Sequence, residues 1–247
     1  MKKLIFSLLI LVSAFISASA QHKCDSVETG YGIYLYIDDE NSLWGFGTNL
    51  HGILIGGKPF QRYSLSESRH IMDNVRQVSA GSTHVAAVCC DSTLWVWGKN
   101  NIGQLGNGTT SDCLSPVKIM DNVKQVSTGF AHTLALCCDG SLWAWGWNKY
   151  GQLGDGTTTK RLTPVKVMDN VRKVSADNLF TMAIRNDGSL WSFGANSIGQ
   201  LGDGTLENRI IPVKVADGIK AISCGTTVGM AVDDEGYLLT SGEVNYH

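Results

Sequence analysis

Small and large apolar residues alternate with period two in a short segment that recurs along this chain. Leu94-Trp95-Val96-Trp97 puts both tryptophans on one face of an extended segment and Leu94 and Val96 on the other. Both faces are apolar, so the segment predicts a strand sandwiched between other sheets. Leu142-Trp143-Ala144-Trp145 and Leu190-Trp191-Ser192-Phe193 repeat the pattern. Trp95, Trp143, Trp191 and Leu239 are each 48 residues apart. No helical period near 3.6 accompanies this repeat, which sets helical solenoids aside.

Each unit carries the same further parts. Val75-Arg-Gln-Val-Ser-Ala-Gly-Ser-Thr-His84 and Val123-Lys-Gln-Val-Ser-Thr-Gly-Phe-Ala-His132 are near copies, and Val171 to Asp177 begins a third. A weaker copy runs from Ile219 through Gly225 to Gly242, and Leu43-Trp-Gly-Phe-Gly47 is a partial one. Between units stand Gly-Gln-Leu-Gly-Asn/Asp-Gly-Thr stretches starting at Gly103, Gly151 and Gly199. No Lys-Ser/Thr and no helical pattern follows them, so they read as structural turns rather than phosphate loops. Gly106, Gly154 and Gly202 are their repeated structural positions. Pro116-Val117, Pro164-Val165 and Pro212-Val213 begin a further strand, which Asp121-Asn122 and its counterparts turn back. Four short strands per 48 residues make one propeller blade. The expectation is an all-β chain, a β-propeller of about five units with an incomplete or open ring. The units are 31–49 (partial), 50–98, 99–146, 147–194 and 195–242 of a repeat domain at 21–247.

The first 20 residues stand outside the repeat. Lys2 and Lys3, the apolar run Leu4 to Ile16, and Ala18-Ser19-Ala20 have the layout of a secretory signal peptide cleaved after Ala20. The run is short for a membrane span and no second one follows, so no integral span is expected in the mature chain. Without Lys2 and Lys3, 18 basic residues face 22 acidic ones, a net charge of −4. No basic stripe exists, which argues against nucleic acid as partner.

The pattern Val-x-x-Val-Ser-x-Gly-x-x-His, Asp-Gly-x-Leu-Trp-x-Trp-Gly-x-Asn and Gly-Gln-Leu-Gly-Asp-Gly-Thr resembles the repeat of the regulator of chromosome condensation family. The resemblance covers about residues 31–245 and implies a propeller, usually of seven blades. The mature chain has 247 − 20 = 227 residues, room for about five. The family's founding activity is nucleotide exchange on a small nuclear GTPase, with chromatin binding. The signal peptide and the lack of a basic tail argue against carrying it over. The chain looks more like secreted bacterial members, which resemble binding modules. The expectation is a secreted or cell-surface, non-catalytic scaffold for a protein or glycan. The alternatives are an exchange-factor-like regulator and a propeller enzyme acting on a polysaccharide.

No catalytic signature, cofactor site or metal site stands out. His84 and His132 share a repeat position that holds Phe180 and Val228 elsewhere, so they read as structural, like Trp95, Trp143 and Trp191. Asp91, Asp139 and Asp187 read as turn residues. Cys89-Cys90 and Cys137-Cys138 occupy equivalent places. In a secreted chain they suggest a cross-blade disulfide; buried free thiols are the alternative. Partner contacts are expected at Lys58, Phe60, Arg62 and Tyr63, where the repeat has decayed, and at Trp147 and Tyr150. For the last two, blade packing is an equal reading.

Overall fold

The chain forms strands where period-two apolar runs lie between glycine- and aspartate-rich turns. The computed structural model describes residues 24–30, 32–49, 53–54, 61–63 and 67–243, with no side-chain description at 24–26 and 61–63. The signal-peptide segment, Lys58 and Phe60 lie outside the described residues.

Five antiparallel sheets follow one another. The first contains β1 (Cys24–Thr29), β2 (Ile33–Asp38), β3 (Leu43–Asn49), β4 (Gln61–Tyr63) and β5 (Arg69–Met72). The second is β6 (Val75–Ala80), β7 (His84–Cys89), β8 (Leu94–Gly98) and β9 (Cys113–Met120). The third is β10 (Val123–Thr128), β11 (His132–Cys137), β12 (Leu142–Gly146) and β13 (Arg161–Met168). The fourth is β14 (Val171–Asp177), β15 (Phe180–Arg185), β16 (Leu190–Gly194) and β17 (Arg209–Ala216). The fifth has three strands: β18 (Ile219–Cys224), β19 (Val228–Asp233) and β20 (Leu238–Gly242). These are propeller blades, each packed on the next.

The blades are offset from the units written along the sequence. The boundary at 98/99 falls between β8 and β9, two paired strands of one sheet. A tandem repeat can be cut at any phase, and hydrogen bonding, not sequence similarity, decides where a blade begins. In the first blade both β4 and β5 pair with β3. Tyr63 and Met72 are nine residues apart (72 − 63), whereas their counterparts Cys113 and Met120 are seven apart (120 − 113). The two extra residues split the fourth strand in two.

The doubly apolar third strand is buried on both sides. Trp97 joins the core shared with the first blade, whereas Leu94 and Val96 join the core shared with the third. Trp145 and Phe193 do the same one and two blades on. The second residues of these strands, Trp95, Trp143 and Trp191, are half-buried.

Blade joins to blade through a fixed offset. Gln77 pairs its side-chain amide with the backbone of Val126, donating to the carbonyl at 3.0 Å and accepting from the N–H at 3.1 Å. Gln125 treats Val174 the same way. The first strand of every blade has a register shift after its first residue, as between Val75 and Gln77. The shift takes Arg76 out of the ladder, as a bulge does. Its guanidinium then crosses to Val123 O at 2.7 Å, and Arg172 reaches Ile219 O at 2.5 Å.

Candidate functional site

The glycine-rich loops shape the surface on which the predicted contact residues sit. Each is wound around a fully buried asparagine, Asn100, Asn148 or Asn196. Asn148 Nδ2 donates to Asp155 Oδ1 at 2.9 Å and to the carbonyls of Thr157 and Thr159 at 3.0 and 3.2 Å. Its Oδ1 accepts from the Leu153 N–H at 3.0 Å. Gly154 has φ +71°, and a Cβ there would lie 2.7 Å from the Phe193 ring. Gly106 has the same relation to Trp145, and Gly202 faces Ser241. Gly106 and Gly154 both turn the loop and admit a ring beneath it.

Acidic residues in these loops are structural knots. Asp155 and Asp203 each meet an arginine at 2.6 Å, Arg161 and Arg209. Burial raises the Asp203 pKa, but hydrogen bonds from Arg209, Thr205 and Asn196 outweigh it and hold the carboxyl at about 2. Asp155 is lowered by the same balance, burial opposing Thr157, Arg161 and Asn148. In the second blade both charges are gone together: Asn107 and Cys113 stand there, Nδ2 and Sγ 3.5 Å apart.

With Asn148 turned inward, its neighbours Trp147 and Lys149 face outward. Trp147 and Tyr150 are half-buried, and Lys149 is exposed. Their rings meet edge-on, centroids 5.7 Å apart. Phe130, from the turn between β10 and β11, adds a third ring 5.9 Å from Trp147 and is 43% exposed. Lys149 Nζ lies 5.8 Å from the Tyr150 ring centre. Phe130 N–H donates to Asn178 O, so the cluster bridges the third and fourth blades. Arg62 and Tyr63 are brought into β4, with no side-chain position described.

His84 and His132 begin the second strands of their blades, fully buried. Each lies over the glycine three residues before it. A Cβ on Gly81 would be 2.8 Å from His84 Cε1, and one on Gly129 would collide with the His132 ring. His84 Nε2 is 2.8 Å from Thr133 Oγ1 of the next blade. Thr133 donates its own proton to Gln104 O at 2.7 Å, so His84 must supply the Nε2–H. His132, Thr181 and Gln152 O repeat the relay at 3.4 and 3.0 Å. The Nδ1 atoms have no hydrogen-bond partner. Burial holds His84 down to about 4; burial and the neighbouring His84 hold His132 down to about 3. Both rings are neutral near pH 7. Among the described residues, no group of three or more His, Cys, Asp or Glu could hold a metal ion.

The remaining candidates are placed as follows. Asp139 Oδ1 accepts from the N–H and hydroxyl of Ser141 at 2.9 and 2.6 Å, and Ser141 Oγ accepts from Trp143 Nε1 at 3.0 Å. Asp91 and Asp187 serve Trp95 and Trp191 through Thr93 and Ser189. Glu28 and Asp177 have carboxyl pKa values raised by burial, and the charge of Asp177 adds to the rise at Glu28. The cross-blade disulfide is not formed: Cys89 and Cys137 are buried and free, and Cys90 and Cys138 are exposed and free. Each pair straddles the end of a strand, so one thiol turns inward and the other outward.

Sequence reading missed Thr133, Thr181 and Phe130. The available signal was a threonine 49 residues after each histidine. No helix among the described residues is long and apolar enough to cross a membrane.

A model described as "Regulator of chromosome condensation (RCC1) repeat" matches residues 91–136, 139–184 and 187–232. A second model of that description matches 75–104 and 123–152. The ultraviolet-B receptor UVR8 of Arabidopsis thaliana is 36% identical over 111 residues, 44% of this chain and 25% of that protein. Human WBSCR16 has a solved structure similar at TM-score 0.80 and 25% identity, covering 91% of this chain and 63% of that one. Yeast RCC1 (Prp20), solved bound to Kap60, is similar in fold at TM-score 0.77 and 20% identity, covering 90% and 56%. The chain thus spans less than two thirds of each of these proteins. With three consecutive repeats matched and the corresponding blades beneath them, the chain belongs to the regulator of chromosome condensation (RCC1) repeat family.

Proposed function

We propose that this chain is a non-catalytic binding scaffold, secreted or held at the cell surface, that engages a protein through the Phe130, Trp147 and Tyr150 cluster. That cluster is the observation that carries the reading: three rings and a lysine meet on a loop surface whose backbone is pinned from within by Asn148. Aromatic groups on a rigid frame make strong contacts because little conformational freedom is lost on docking. One fold relative, solved in two structures, points the same way, by analogy of architecture alone. Yeast RCC1 was solved bound to Kap60, and the Prp20p structure was described with its binding properties to Gsp1p and histones. Secretion rests on the Lys2 to Ala20 pattern.

The test uses the chain from Gln21 as bait on host surface and culture-fluid proteins, beside Trp147→Ala and Tyr150→Ala baits. Capture by the parent that falls at least tenfold with either variant, at unchanged melting temperature, supports the scaffold. Equal capture by all three removes the cluster as the contact, and capture only of glycans replaces the protein partner. N-terminal sequencing of exported protein should begin at Gln21; an intact Met1 on cytosolic protein would overturn secretion.

A further inference from the structure

Three of the four blade-to-blade cores are closed by a fully buried ring from the third strand. Trp97 lies between blades one and two, Trp145 between two and three, Phe193 between three and four. Between blades four and five the same position is Ser241, and the core there has no ring from that strand. The cross-strand partner has shrunk as well. Thr133 pairs with Trp145 and Thr181 with Phe193, but Gly229 pairs with Ser241. Two small residues in register leave a cavity of about 200 Å³, open to solvent. Met182, Leu190, Leu201, Val215, Ala231 and Leu239 line it. Aliphatic cavities of about 150 Å³ take up benzene.

The polar side of the cavity matches its siblings. Gln104 O accepts two hydrogen bonds, from Thr133 Oγ1 at 2.7 Å and from Trp145 Nε1 at 3.0 Å. The equivalent Gln200 O accepts Ser241 Oγ at 2.8 Å, and Gly229 offers no hydroxyl for the second position. A carbonyl oxygen has two lone pairs, so Gln200 O can take an indole N–H as Gln104 O does. The Met182 thioether beside Gly229 adds a polarisable contact suited to a ring.

We propose that this cavity binds a planar aromatic ring of the indole class, donating its N–H to the Gln200 carbonyl. The ring is either a free ligand or the tryptophan side chain of a polypeptide. The chain's own indole fills the equivalent space two blades earlier, which fixes the shape; Ser241 Oγ stands where the Trp145 N–H does, so the ligand N–H takes the lone pair that Thr133 uses at Gln104.

The test is a titration of the protein, methyl-labelled at methionine, with indole and separately with N-acetyl-tryptophanamide. A saturable shift of the Met182 methyl with a dissociation constant on the order of 0.1–1 mM is expected for a ring of this size. Tighter binding of the amide assigns the site to a polypeptide side chain; tighter binding of indole assigns it to a free ligand. Ser241→Trp should raise the melting temperature and weaken either probe at least tenfold. Gly229→Thr, which restores the residue of the third and fourth blades, should weaken binding too and carries the test if Ser241→Trp does not fold. No saturable Met182 response to either probe, or a response unchanged in the variants, would overturn the site.

Discussion

Acid should unfold this protein through two histidines well before its carboxylates are protonated. His84 and His132 are fully buried, with pKa values of about 4 and 3. In the unfolded chain each would titrate near 6.5. A lowered folded pKa means that stability is complete above the unfolded value and is lost as pH falls towards the folded one. At pH 5 the unfolded ring is mostly protonated and the buried ring is not, a difference of about 2 kcal/mol per histidine and about 4 kcal/mol together. That is a large part of an ordinary stability of roughly 5–15 kcal/mol. The assay is urea unfolding at pH 8 and pH 5. With a slope of about 2–3 kcal/mol/M, the midpoint should drop by roughly 1.3–2 M. The comparison is a His84→Phe/His132→Phe variant, in which Phe180 of the next blade supplies the precedent. Glu28 and Asp177, raised by burial, act in the opposite sense, gaining stability as pH falls, and are the same in both proteins. The difference in midpoint shift therefore reports the histidines. A variant whose midpoint moves as far as the parent's would refute the reasoning.

Three further outcomes are expected. Asn148→Ala leaves the Leu153 N–H and three acceptors without their partner and should cost about 2–4 kcal/mol, read as a melting temperature lowered by roughly 5–15 °C; unchanged amide protection across residues 151–157 would count against it. The Asp203 carboxyl should titrate near 2, so its contribution holds above about pH 4 and is lost below it; a carbon-13 carboxyl titration checks this, and Asp203→Asn should flatten the stability profile in that window. Cys90 and Cys138 should be labelled by a thiol reagent in the native protein, whereas Cys89, Cys137 and Cys224 should wait for unfolding, because burial raises these thiols, Cys224 to about 12; slow labelling at Cys90 and Cys138, mapped by mass spectrometry, would contradict their exposure.

The parts of the fold that depend on short-range periodicity were legible from the residues. The doubly apolar alternation of Leu94 to Trp97 correctly implied a strand between two layers, since Trp97 and Leu94 join different cores. The phase of the blades was not legible, because a 48-residue repeat is equally periodic wherever it is cut. Partners across blades were hidden for a related reason. Thr133 sits in a strand full of buried residues, and only the 49-residue step shows that its hydroxyl belongs to His84. At the candidate contact surface, Trp147 and Tyr150 could be named as aromatic residues in a loop, but Phe130 comes from a different turn, and only folding brings the three together. The cysteine pairs show the limit of spacing: equivalent positions on neighbouring blades suggest a bond between the pairs, but all four thiols are free.

The 49-residue step has a consequence for how such a chain can change length. Gln77 with Val126, Ser79 with Thr128 and His84 with Thr133 each join a position to its counterpart one unit on, plus one. A duplicated unit would therefore arrive carrying the donors for the neighbour ahead and the acceptors for the neighbour behind. Insertion or loss of a whole unit keeps this step in register, whereas a change of one or two residues breaks a strand, as between β4 and β5. Such an array can gain or lose genetic segments in whole multiples of 48 without shifting the register of its seams.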